Sequence, residues 1–102
     1  MIIYNVTCNL NQELEEEWLD WMKNEHLPEV MSTNKFLEYR ILKLLTQVED
    51  NEGVNYAIQY RCATIEDYHD YINNHGPVLR EKTIKKYGDK VLTFRTLLQE
   101  IK

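Results

Sequence analysis

A chain of 102 residues with 43% apolar and 28% charged side chains has the length of one domain and the composition of an ordinary globular protein. Its net charge of −5 and pI of about 5.1 repel phosphate backbones and anionic membranes, so neither nucleic acid nor a membrane is an expected partner. No stretch approaches the roughly 20 apolar residues of a membrane span, no basic leader opens the sequence, and two cysteines are too few for a disulfide framework. The expectation is one domain over residues 1–102, in the cytoplasm.

The first ten residues alternate, with Ile2, Tyr4, Val6, Cys8 and Leu10 on one face and Asn5, Thr7 and Asn9 on the other, which is the pattern of a half-buried strand. Asn9 or Asn11 can cap the helix that follows, and Glu13, Glu15, Glu16 and Glu17 suit the positive end of its dipole. Leu14, Trp18, Trp21 and Met22 form its apolar stripe. Pro28 must bend or stop that helix, leaving His26 and Leu27 at a break and a last turn and loop to about Asn34. Residues 35–48 read as a strand with apolar groups on both faces. Residues 49–53 form a hairpin loop, and Val54–Cys62 returns as the third strand. Thr64 to Asp67 opens a second helix in the manner of a capping box. Its stripe is Ile65, Tyr68, Ile72, His75 and Leu79; Gly76-Pro77 kinks it, and Gly88 ends it. Lys90 to Leu98 alternates as the last strand.

The order strand, helix, strand, strand, helix, strand is the split βαβ arrangement, giving an α+β ferredoxin-like βαββαβ fold. The expected sheet is four-stranded and antiparallel in the order 4-1-3-2, with both helices on one face. An internal echo accompanies it: His26-Leu27-Pro28 in the first helix and His75-Gly76-Pro77 in the second.

The segments Trp18-Leu19-Asp20-Trp21-Met22, His26-Leu27-Pro28-Glu29-Val30, Tyr87-Gly88-Asp89-Lys90 and Phe94-Arg95-Thr96-Leu97-Leu98 resemble a family of short bacterial proteins of unknown function in the dimeric α/β barrel superfamily. The resemblance spans essentially the whole chain. It implies a subunit whose sheet packs face to face on a partner's sheet, and it implies no activity. The superfamily includes cofactor-independent monooxygenases, isomerases, haem-binding degraders and ligand-binding regulators, and several members carry a His followed by Pro near the end of the first helix.

His26 is the foremost candidate for chemistry, as a general base or a donor to a bound carbonyl beside Trp21 at the helix break. A structural histidine that caps carbonyls or packs on tryptophan fits the same position. His75 falls on the second stripe and reads as a partly buried structural residue, and His69 as solvent-facing. Centring the strand pairs puts Asn5 beside Gln59 and Arg95, with Lys43 beyond Gln59, on the face away from the helices. That cluster suits a small anion, or else a hydrated network paired to Glu38. The seven tyrosines and two tryptophans read as core, because the third strand lacks the basic-Gly-aromatic start of an RNA-binding sheet. Cys8 and Cys62 read as small, unpaired core residues. No Gly-rich phosphate loop and no clustered metal ligands occur, so no cofactor and no metal are expected.

Two functions fit. One is a small-molecule-binding protein, or a cofactor-independent monooxygenase- or isomerase-like enzyme, with an anionic or aromatic ligand in the sheet–helix cleft. The other is a non-catalytic dimerisation module. A homodimer is expected because Ile3, Leu37, Tyr39, Ile41, Leu45, Ala57, Val91 and Leu97 are assigned to the uncovered face, where they form a large apolar patch.

Overall fold

The computed structural model describes residues 1–46 and 52–102. Its strands are β1 (Ile2–Leu10), β2 (Glu38–Lys43), β3 (Val54–Cys62) and β4 (Val91–Gln99). They make one antiparallel sheet in the order β2-β3-β1-β4, the arrangement the sequence predicts. The register between β1 and β3 also agrees: Val6 faces Ile58, Asn5 faces Gln59, Cys8 faces Tyr56 and Cys62 faces Ile2. The two cysteines therefore sit at opposite ends of the paired strands, both buried and unpaired.

Two helical rods cover one face of the sheet. The first runs through α1 (Glu15–Trp21), a π turn (Met22–His26) and α2 (Leu27–Met31). The second runs through α3 (Ile65–Asp70), a π turn (Tyr71–His75) and α4 (Gly76–Tyr87). The His-x-Pro echo has a common cause here. In each rod the residue before proline donates its N–H five residues back, Leu27 to the Met22 carbonyl and Gly76 to the Tyr71 carbonyl. The wider turn makes room for a proline ring that clashes with the carbonyl of an ordinary α turn. Pro28 therefore lies inside a helix that continues to Met31, where the sequence reading expects a last turn and a loop. Asn11 caps the short 3-10 turn that leads into α1, accepting from the Glu13 N–H at 2.9 Å, and Thr64 caps α3, accepting from the Asp67 N–H at 3.2 Å.

The core lies between sheet and rods. Trp18, Leu27, Val30, Leu10, Ile58 and Cys62 are fully buried, and a ring cluster of Tyr4, Phe36, Tyr60 and Tyr71 packs with centroids 4.7–6.2 Å apart. Each large side chain so buried contributes roughly 1.5–3 kcal/mol.

Three expectations are corrected by the register. Arg95 pairs with Val6 and not with Asn5, so odd positions of β4 face the helices and even positions face away. Val91 and Leu97 thus leave the open face, and Leu92, Phe94 and Leu98 occupy it. Strand β2 spans only Glu38–Lys43, and Tyr39 and Ile41 pair with Tyr60 and Ile58 on the helix side. Both faces of β2 and β4 carry apolar residues, so alternation leaves their orientation undecided, and a slip of one residue exchanges the faces. The strand end and hairpin loop expected at 47–51 lie outside the described residues.

Candidate functional site

The core is not filled where α4 passes over β1 and β4. A cavity of about 170 Å³ remains there. The sheet supplies Tyr4, Val6, Cys8, Ile58, Tyr60, Val91, Thr93 and Arg95 to its wall; the helical rods supply Trp18, Met22, His26, Tyr71, Gly76, Leu79, Arg80, Thr83 and Ile84. Gly76 keeps this space open beside Tyr71: a Cβ there would stand 3.3 Å from the Tyr71 carbonyl oxygen and 3.4 Å from its ring.

His26 is half-buried at this cavity and stacks on Trp21, with centroids 5.0 Å apart and planes 23° apart. Tyr87 meets Trp21 edge-on, with centroids 5.5 Å apart. Burial pushes the His26 imidazole below its ordinary pKa, opposed by the nearby Glu29 carboxylate. The imidazole is therefore neutral at pH 7, with one nitrogen able to accept a proton or hydrogen bond. Burial holds the Tyr4 and Tyr71 phenols protonated, Tyr4 above its usual range and Tyr71 well above it, and Arg80 and Arg95 act in the opposite sense on both. Burial also pushes the Cys8 thiol up to about 12 and Cys62 to about 11, so neither is a nucleophile at neutral pH.

The candidate cluster of Asn5, Gln59, Arg95 and Lys43 does not assemble. Asn5 and Gln59 lie on the open face, where Gln59 accepts from Arg40 Nη2 at 2.8 Å. Asn5 donates to Thr7 Oγ1 at 3.1 Å, and its buried Oδ1 has no partner among the described residues. Arg95 turns to the cavity with His26. Lys43 faces Tyr56 on the helix side and pairs with Glu15 at 2.6 Å, and Glu15 also accepts from the Tyr56 hydroxyl at 2.5 Å. The partner of Glu38 is Arg61, at 2.9 Å, and Arg61 bonds Glu100 as well. His75 is half-buried near Asp70.

Sequence reasoning missed Tyr71, Arg80 and Thr83. A regular 3.6 period carried from Ile65 loses the buried face at the π turn. Counting five residues from Tyr71 to Gly76, then four to Arg80 and three to Thr83, recovers the cavity wall.

The fold and cavity define an α+β ferredoxin-like protein with a pocket between sheet and helices. The chain belongs to the family described as "Domain of unknown function (DUF4286)", whose model matches residues 1–101. Solved structures share the fold at low identity. An ethyl tert-butyl ether d (EthD) family protein from Bacillus halodurans superposes with a TM-score of 0.74 at 11% identity, over 99% of this chain and all of that one. A Deinococcus radiodurans protein assigned as an antibiotic biosynthesis monooxygenase gives 0.67 at 14%, over 100% and 94% of the two chains. A dimeric ferredoxin-like protein from an uncultured marine organism gives 0.61 at 11%, over 98% and 97%. Human Regulator of G-protein signaling 22 is 34% identical over 55 residues, which is 53% of this chain and 4% of that much longer protein. Among the described residues no helix is long and apolar enough to cross a membrane, and no group of side chains is arranged to hold a metal ion.

Proposed function

We propose that the chain is a homodimer, located in the cytosol, whose subunits each bind a small molecule in the sheet–helix cavity. The observation that carries this reading is the cavity itself. Protein interiors are close-packed, and voids larger than a water molecule are few. A 170 Å³ space with an aromatic and apolar wall and a few convergent polar groups is the usual form of a ligand pocket. Its polar groups are His26, Thr83, Thr93, Arg80, Arg95 and tyrosine hydroxyls. The unpaired, buried thiols suit a reducing compartment.

Pairing of two copies is supported by the open face of the sheet. Phe94, Leu92 and Leu98 there are 67%, 52% and 42% exposed, and Leu42 is exposed on the far strand. A second sheet covers such a face in a layer about 10 Å thick. The dimeric similar structure has this same fold.

Thermal-shift measurements with a library of small aromatic and aliphatic molecules test the pocket. Compounds that raise the melting temperature of the native protein should lose that effect in Thr83→Phe, which fills the cavity from α4. Equal shifts in both proteins, or no shift from any compound, contradict the proposal.

A further inference from the structure

We infer that the cavity takes a monocyclic carboxylate, with the acid group held by Arg80 and Arg95 and the ring against the aromatic wall. This deepens the pocket reading and rests on it.

The chain is acidic, and among the described residues five of its twelve lysines and arginines pair with carboxylates. Lys35 pairs with Asp70, Lys43 with Glu15, Lys82 with Glu29, Lys85 with Glu81, and Arg61 with both Glu38 and Glu100. Arg80 and Arg95 are the two arginines of the cavity wall. Neither pairs with a carboxylate among the described residues, and the cavity they line contains no acidic side chain. They come from separate elements, α4 and β4, yet the charge of each reaches the hydroxyls of both Tyr4 and Tyr71. Both arginines line one cavity, together with Tyr4 and Tyr71.

The Nε of Arg80 is buried and has no hydrogen-bond partner among the described residues. A buried donor on a charged group is costly to leave unsatisfied. A planar carboxylate is the natural acceptor, because its two oxygens match the fork of a guanidinium. The remaining wall, including Val6, Met22, Ile58 and Leu79, is apolar and selects an apolar body for the same ligand. Size sets the limit: a cavity of about 150 Å³ holds one benzene ring. At about 170 Å³ this one admits a single ring, with the acid group toward Arg95 on the exposed edge strand.

Isothermal titration of the intact protein with benzoate, and with benzamide as its neutral isostere, tests this. Benzoate should bind at least tenfold more tightly than benzamide. Arg80→Gln and Arg95→Gln should each remove most of that difference. Arg95 is exposed, so its variant reports even if Arg80→Gln fails to fold. Equal binding of the two probes by the native protein overturns the carboxylate assignment and leaves the pocket standing. Binding of neither probe overturns both.

Discussion

His26 shows what one position can do in this fold. The Trp21 indole fixes its ring, and the surrounding apolar wall disfavours its charged form. Its folded-state pKa is lowered, so the unfolded chain binds more protons than the native protein as pH falls through the ordinary histidine range. The stability this residue contributes is complete above about pH 6.5 and is lost as pH drops toward its lowered native value. Denaturant midpoints should therefore fall between pH 7.5 and 5.5 in the native protein and fall less in His26→Gln. At pH 7.5 the substitution should cost no more than about 1 kcal/mol, because a half-exposed ring at a cavity rim buries little area. A loss of several kcal/mol at that pH makes His26 a structural residue. Matching pH profiles for the two proteins contradict the desolvated environment.

At the scale of elements, turns and proline breaks decide where side chains point. Gly53 enters β3 with φ of +91°, and a Cβ there would collide with the Leu10 carbonyl oxygen on β1. Gly53→Ala should destabilise the fold by about 1–3 kcal/mol, read as a lower urea midpoint with an unchanged slope. An unaltered midpoint contradicts the close approach of these strands. Element order, sheet order and the register of β1 on β3 were legible in the sequence, because these strands carry one apolar and one polar face. Strands β2 and β4 carry apolar residues on both faces, and their orientation was not legible. That is why Arg95 was expected on the open face. The site was half legible for a related reason. His26 and Trp21 stand out beside Pro28, whereas Arg80 lies beyond a π turn that shifts the helical period by one residue.

At the scale of the molecule, β4 joins the two halves of the account. It is an edge strand whose odd residues, Val91, Thr93 and Arg95, wall the cavity, while Leu92, Phe94 and Leu98 look the other way. An edge strand bare on its outer face is held only by β1 and invites unwanted pairing. In the proposed dimer, a second copy packed on that face fixes β4, and with it the position of Arg95 in the cavity. The Oδ1 of Asn5, unpartnered among the described residues, lies on the same face. Such an interface should bury about 1,600 Å² or more. Phe94→Glu places a charge on that face and should separate the subunits. Light scattering at low micromolar concentration is the direct measurement: the account predicts twice the chain mass of 12.3 kDa for the native protein and the single-chain mass for Phe94→Glu. A native protein that remains a stable monomer at that concentration contradicts it.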